Sequence, residues 1–498
     1  MKQQPIWWEN AYVPPFKTLQ KNIDVEIAIV GAGITGLTAA YELAKSGIKY
    51  CVLDSAKVAG GVSGHTTGHL TTIMDMYYYH IIKDFSLEKA KDVYDAVLFS
   101  RKYIEKIVQL ENIDCDLKKV PAYYYAEDED QLKILKDELE AFDKIGIKYA
   151  QDNGFPLPFE ALEFARIEGM AQFNAVKYLS GLARTIPNAS EKIYEDSHVE
   201  EIKKQEGHYV LKTKKGSVTA RKVILATHSP AGFNLIQTEL LPYMSYVMAA
   251  ELEEPLPEAL FYDMKEPYNY IRTYKLNNKQ YSIIGGFDHR TGQGDEADHH
   301  RQLEEYIRNH FRVRDIQYKW SAQVFEPADS IPYIGKSPQA ENVYIATGFA
   351  GDGLIYGSLA GKILADTAMG IPNVYIDLFD PSRIKPVAAA KDFLKHNVEV
   401  AKDFVKGRMN TDVEDTDEIP PGEGAIVKIN GDKFAVYRSE EGELHHLSPV
   451  CTHLKCIVQW NNDHKSWDCP CHGSRFQATG EVLSGPAMKA LEKKKVKV

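Results

Sequence analysis

The sequence predicts an α/β chain that ends in a small β-rich unit. Three observations carry that prediction. The short apolar segment Val25–Val30 runs directly into GAGITG, which opens a stretch with helical apolar spacing that stops at Gly47, and KYCVLD follows as a second buried strand. Late in the chain another strand-plus-glycine unit, NVYIATGFAGDG, leads into the helical pattern LIYGSLAGKILADTAMG. Beyond an acidic, proline-containing stretch, TDVEDTDEIPPGEG, the segment AIVKINGDKFAVYR alternates about Asn430-Gly431, a hairpin signal.

The elements between these follow in order. HVEEIKKQEGHYVLKTKKGSVTARKVILATHSP reads as strands with turns at Gly207 and Gly216, and KVILAT is apolar enough to be buried on both faces. Leu394, Val398, Ala401 and Val405 share one face of an expected helix between Arg383 and Asn410. The 498 residues allow about three structural units. With 44% hydrophobic and 26% charged residues, the balance is that of an ordinary folded protein. A net charge of -11, with basic residues concentrated only at Lys493, Lys494, Lys495 and Lys497, argues against a nucleic-acid partner. No apolar run approaches about 18 residues and the N-terminus lacks a signal-peptide core, so the expectation is a cytoplasmic protein with no integral membrane segment.

Gly31, Gly33 and Gly36 form G-x-G-x-x-G after a strand and before a helix, and Asp54 ends the next strand eighteen positions after Gly36. Gly31 permits a tight turn, Gly33 lets backbone approach a pyrophosphate, and Gly36 lets helix and strand pack closely. The helix start offers N–H groups to phosphates, and Asp54 can accept from ribose hydroxyls. Ala32, Ile34 and Thr35 complete the loop. By itself the loop does not distinguish NAD from FAD.

Of six cysteines, Cys51 and Cys115 stand alone while Cys451, Cys456, Cys469 and Cys471 crowd one segment. There CTHLKC and CPCHGS supply Cys-x-His and Cys-x-x-His, two thiolates and two imidazoles, a set suited to two differently ligated irons. Zinc is the competing reading. Against it, the Cys-x-His step is too short for a zinc knuckle and two cysteines would go unexplained.

Two resemblances refine this. GAGITGLTAAYELAKSG, ATHSP, DSIPYIG and ATGFAGDGLIYGSLAGKILAD, spread over about Val25 to Asp366, resemble the D-amino-acid oxidase-like family of FAD oxidoreductases. The resemblance implies a Rossmann-like FAD-binding domain with an interleaved α+β substrate domain. Its FAD-binding parts would be about 24–75, 190–230 and 335–382, and its substrate parts about 76–189 and 231–334. It makes Gly351, Gly353 and Leu354 flavin contacts and puts Val199 near the adenine, with Ala226 of ATHSP also at the cofactor. GGVSGHTTGHLTT resembles the loop running past the flavin in the dimethylglycine dehydrogenase group. That implicates Gly61, Ser63 and His65, with His65 either the site of covalent flavin attachment or a satisfied loop histidine. No second G-x-G-x-x-G follows a mid-chain strand, so an NAD(P) domain is not expected.

Residues 413–498, after a helical linker over 383–412, resemble Rieske [2Fe-2S] proteins of the cytochrome bc1/b6f type, a small all-β domain. The resemblance implies that Cys451 and Cys469 hold one iron and His453 and His472 the other. It pairs Cys456 with Cys471 as a disulfide, puts Gly485-Pro486 in a shielding loop, and has the Ser474 hydroxyl bond a cluster sulfur. Phe476 stands where the respiratory proteins have a tyrosine, so one donor is lost. The potential should fall below the top of the roughly −150 to +300 mV Rieske range.

In the amino-acid-oxidising relatives an arginine pairs with the substrate carboxylate where this chain has Glu326. Glu326 would attract a cationic amine, or else face solvent or a salt bridge elsewhere. Arg272 and Tyr77–Tyr79 are further candidates for the same cavity. The expected function is an FAD-dependent dehydrogenase acting on C–N bonds of an amine or amino-acid derivative. Its electrons would leave through the cluster to a ferredoxin-like protein, a cytochrome or a quinone. The alternatives are a reductase component for a partner oxygenase and a non-catalytic redox sensor. A Rieske oxygenase is disfavoured, because only 26 residues follow His472.

Overall fold

Parallel pairing of Ile23–Val30 with Ser217–Leu225 on one side and Tyr50–Leu53 on the other forms the centre of an eight-stranded sheet. The structure is a computed structural model that describes residues 1–151, 154–232, 234–293, 296–383 and 411–495. The expected helix between Arg383 and Asn410 lies outside the described residues. Val343–Thr347 and Tyr333–Lys336 extend the sheet on the Ser217–Leu225 side, and Ile193–Tyr194 extends it beyond Tyr50–Leu53. The sheet therefore gathers strands from three separated stretches of chain.

Two helices cover one face, Ile34–Lys45 and Gly353–Met369, and they pack on each other. Their contact requires small residues: a Cβ on Gly361 would lie 2.6 Å from the Thr35 carbonyl oxygen. Gly31 has φ +107°, and a Cβ there would lie 2.3 Å from the Ala226 carbonyl oxygen. A Cβ on Gly36 would lie 1.8 Å from the Gly31 carbonyl oxygen, so only glycine lets the helix leave the strand this tightly.

The nine-stranded second sheet runs, from one edge, Lys2–Gln3, Val313–Pro327, Leu240–Leu252, Lys279–Arg290, Tyr270–Leu276, Leu260–Asp263, Lys118–Ala126, Glu163–Gln172 and His69–Leu70. Its pairings are antiparallel apart from Lys2–Gln3 with Val313–Pro327 and Leu260–Asp263 with Lys118–Ala126.

The C-terminal unit holds a three-stranded sheet (Gly424–Ile429, Asp432–Arg438, Leu444–Leu447) and a four-stranded one (Gln459–Asn461, Ser466–Asp468, Arg475–Gln477, Val482–Ser484). The first hairpin turns at Asn430 (φ +51°) and Gly431 (φ +90°), the positive pair that an Asn-Gly turn supplies. The unit rests on the body along Val313–Pro327, where side chains alternate by face. Lys319 bonds Asp463 at 2.6 Å, Ser321 bonds His464, and Gln323 donates to the Gly473 carbonyl at 2.9 Å. Between them, Trp320 donates to the His65 carbonyl at 2.8 Å while Ala322 and Val324 line the cavity described next.

Candidate functional site

One long cavity runs from the glycine loop to the second sheet. Gly31, Gly33, Ile34, Thr35, Asp54, Gly61, Ser63, His65, Val199, Ala226, Gly351, Gly353 and Leu354 all line it. Ala32 and Gly36 do not. Ala32 donates its N–H to Asp54 Oδ2 at 2.6 Å, and Gly36 acts through the helix–strand contact. Asp54 Oδ1 accepts from Ala56 N at 2.8 Å, so the two bonds fix the carboxylate while each oxygen keeps a lone pair for a ribose hydroxyl. Gly33 at the helix start has no side chain to cap it; Ile34 N donates to Ser63 Oγ at 3.1 Å, and the N–H groups that follow in the first turn are the donors left for phosphate. A Cβ on Gly33 would lie 2.8 Å from Ser63 Oγ, so this cradle is shaped for close backbone approach and fits an FAD pyrophosphate.

The other end of the cavity is acidic and aromatic. Asp288, Asp352, Tyr262, Tyr268, Tyr270, Ser245 and His69 line it, and none of the described lining residues is lysine or arginine. Burial pushes Asp288 up to about 7 despite a bond to Ser245. Burial and the charges of Asp75, Asp288 and Glu266 push Glu326 up to about 8. Asp75 accepts from Gly351 N at 2.8 Å and from Tyr268, while its own N–H donates to Asp352 Oδ2 at 2.8 Å. Oδ1 of Asp75 and Oδ1 of Asp288 are both buried and unpartnered. Tyr262 OH and His69 Nδ1 are 3.0 Å apart, and burial holds His69 neutral. His69 Nε2 is left without a partner.

The side-chain candidates need correction. Arg272 is buried, and its Nη1 donates to the carbonyls of Thr67, Gly68 and Phe173 at 2.9, 2.9 and 3.0 Å. The guanidinium, stacked over Trp7, clamps the loop instead of facing the cavity, and burial brings it down to about 9. Glu326 lies two residues past Val324 on the same strand face and is not itself a lining residue; it reaches the site through its charge. Tyr77–Tyr79 do not line the cavity, and Tyr77 stacks on Tyr79. The Gly351 N–H, expected at the flavin, is taken by Asp75. Asp288 and Asp75 went unnoticed in the sequence because each is one acid in a segment without a motif.

In the C-terminal unit, the loops Cys451–Cys456 and Cys469–Ser474 face each other. The Cys456–Cys471 disulfide ties them, with Cα atoms 6.5 Å apart. Cys456, Cys469 and Cys471 sulfurs cluster within 4.8 Å, but two of the three are bonded to each other, leaving the Cys451 and Cys469 thiols free and within reach of one another. The His453 and His472 rings meet edge-on at 5.1 Å. Both ring nitrogens of His453 are buried and unpartnered. Burial pushes His453 down to about 3 and His472 to about 4, keeping both imidazoles in the neutral, ligating form. Two thiols and two neutral imidazoles fit a [2Fe-2S] cluster of mixed ligation. Ser474 Oγ accepts from Ala487 N at 3.0 Å and reaches Cys451.

Residues Val482, Leu483, Ser484, Gly485, Ala487 and Met488 of this unit also line the long cavity. His198 bonds the Met488 carbonyl at 2.8 Å and Gly232 N donates to the Pro486 carbonyl at 2.9 Å. The segment that bonds the Ser474 side chain through Ala487 N is therefore also a wall of the cavity in the body.

Comparison with known proteins agrees with this division. The family model described as FAD dependent oxidoreductase matches residues 26–367, and that of the Rieske [2Fe-2S] domain matches residues 410–495. YhfW of Bacillus subtilis (strain 168), named as a Rieske 2Fe-2S iron-sulfur protein, is 33% identical over 98% of this chain and 97% of its own length. The gamma-glutamylputrescine oxidoreductase of Escherichia coli K12 is 25% identical over 72% of this chain and 87% of its own. Glycine oxidase from Geobacillus kaustophilus superposes with a TM-score of 0.60 at 20% identity, covering 72% of this chain and 99% of its own, a likeness of fold. Among the described residues no helix is long and apolar enough to cross a membrane.

Proposed function

We propose that this chain, which belongs to the FAD dependent oxidoreductase family and carries a Rieske [2Fe-2S] domain, oxidises a cationic amine at a carbon–nitrogen bond and releases the electrons through its cluster to an external one-electron acceptor. The carrying observation is the acidic end of the cavity, where Asp288 and Asp352 line the wall, Asp75 and Glu326 add their charge, and the described lining has no lysine or arginine to pair with a carboxylate. Burial is the main reason that the four acids resist ionisation, and an ammonium entering beside them supplies the counter-charge that offsets the cost. The relative named for gamma-glutamylputrescine supports an amine over an α-amino acid.

Bound FAD supplies the hydride acceptor for the substrate carbon. The chain's own residues prepare that carbon. Asp288, on the cavity wall and titrating near neutrality, takes the proton that an incoming ammonium must lose, so the amine meets the ring neutral, while Glu326 acts on it only through its charge. His69 lines the cavity as a neutral imidazole with Nε2 buried and unpartnered, and Tyr262 fixes the ring from Nδ1. Tyr268 and Tyr270 supply an apolar, water-excluding wall.

The test is an anaerobic absorbance titration with mono- and diamines, N-methylated glycines and α-amino acids. The expected outcome is bleaching of the flavin band by cationic amines, followed by loss of the cluster's visible absorption. Bleaching by α-amino acids alone would overturn the substrate class. No bleaching by any compound, with ready reduction by an external reductase, would reverse the direction of flow.

A further inference from the structure

Gln323 is hydrogen-bonded on one side to the C-terminal unit and on the other to a residue of the flavin cavity. Its side chain is buried at 2% exposure although it is polar. The amide nitrogen donates to the Gly473 carbonyl at 2.9 Å and to Thr291 Oγ1 at 3.2 Å, and the amide oxygen accepts from Ser484 Oγ at 3.3 Å. Gly473 follows His472, and Ser484 opens the Ser484–Met488 segment, so one side chain grips both cluster-side loops. The Gln323 backbone carbonyl accepts from His228 Nε2 at 3.0 Å, and the His228 ring lines the cavity. That imidazole is itself fixed. Thr347 Oγ1 donates to its carbonyl at 2.7 Å and the ring packs on Phe325 at 4.7 Å. A Cβ on Gly473 would lie 2.7 Å from Gln323 Nε2 and 2.8 Å from Pro242, so the glycine is what allows this approach.

We propose that Gln323 is a positioning residue for electron transfer, holding the His472–Gly473 loop and the Ser484–Met488 segment in fixed register with the flavin cavity. The inference rests on the reading that electrons pass between the two sites, but not on which substrate delivers them. Each passage moves one electron from reduced flavin to the oxidised cluster, taking a diferric pair to a ferric–ferrous one. The second electron follows when an external one-electron acceptor has re-oxidised the cluster, and the flavin protons go to solvent. Two passages thus clear one two-electron oxidation. Because the path is hydrogen-bonded on both sides of a single strand, the relay works without a swinging domain.

The experiment uses the full-length holoprotein and reduces the flavin with light and a deazaflavin donor, so no amine is needed. Flavin bleaching and cluster reduction are followed at separate wavelengths and by electron paramagnetic resonance, with hydrogen exchange read at 470–474 and 484–488. In Gln323→Leu, flavin photoreduction is expected at the wild-type rate, cluster reduction slower by about tenfold or more, and exchange at both loops faster, since a site held about 1 Å loosely loses rate steeply. Ser484→Ala, which removes one grip, should show the same pattern at about two- to threefold. Unchanged cluster reduction in both variants overturns the proposal, as does slowing of flavin photoreduction by the same factor. If Gln323→Leu does not fold, Ser484→Ala decides alone. Should amines fail to bleach the flavin while photoreduced flavin still drives a Gln323-dependent transfer, the substrate reading falls and this one stands. If photoreduced wild-type flavin never reduces the cluster, this one falls.

Discussion

The two ends of the flavin cavity are made by different means. At the nucleotide end, six consecutive residues do most of the work, and they do it with backbone: a positive φ at Gly31, a close approach at Gly36 and a side-chain-free helix start at Gly33. At the reactive end, Asp75, Asp288, Glu326 and Asp352 arrive from four distant segments, and each matters only through its neighbours. A backbone requirement tolerates almost no substitution, whereas a charge constellation is tuned by degrees. The first end binds what many chains bind; the second selects.

Substitutions should therefore fail differently at the two ends. Gly36→Val, which drives a side chain into the Gly31 carbonyl, is expected to cost about 3 kcal/mol and to yield protein without FAD, read as the flavin-to-protein absorbance ratio and Tm. Retention of FAD at wild-type Tm would erase the distinction. Asp288→Asn should leave FAD content intact and lower kcat/KM for a cationic amine by about 10- to 100-fold.

Asp288→Asn should also change the pH profile, and the sign follows from the raised values. Below about 7 both acids are protonated, and between about 7 and 8 they ionise, so kcat/KM for a cation rises through that window and the variant loses the Asp288 part of the rise. The same raised values act oppositely on stability. Their contribution is fully present below the ordinary carboxylate value of about 4 and is lost as pH climbs through about 7 to 8. Thermal melts of Asp288→Asn should accordingly depend less on pH in that range. A profile identical to wild type would show that the acid does not address substrate. The smallest effect extends the contrast to the cluster, another site read from contiguous residues. Phe476→Tyr should raise the cluster potential by on the order of tens of mV in a titration followed by electron paramagnetic resonance. An unchanged potential would mean that the added hydroxyl does not reach the cluster.

The same contrast explains what was readable in advance. The glycine loop, Asp54, the late GDG segment and the CTHLKC and CPCHGS loops are contiguous patterns whose chemistry depends on spacing, and thirteen of the fifteen expected cofactor residues line the cavity. Arg272 misled because a lone arginine on a strand carries no sign of what it will meet. In the fold it meets three backbone carbonyls and Trp7, and so spends its donors on holding the loop at Thr67 and Gly68. Glu326 falls just outside the cavity it was expected in, since Val324 is the last lining residue on its strand. Asp288, the acid on the wall, sits in the strand GGFDHR, where nothing local marks it. The docking of the C-terminal unit was invisible for a similar reason, because Lys319, Ser321 and Gln323 are unremarkable until Asp463, His464 and Gly473 are brought opposite them.

The strand Val313–Pro327 carries a further consequence for how this chain can change. Odd positions from 319 to 323 address the iron–sulfur unit and even positions from 320 to 324 address the flavin body, with a two-residue period. Inserting or deleting one residue before Lys319 would exchange the two sets wholesale, turning the lysine and glutamine into the flavin cavity and Ala322 and Val324 toward Asp463 and Gly473. Both cofactor sites would be lost together. Length variation in this chain is therefore expected to accumulate in its connections, while this strand keeps a constant residue count.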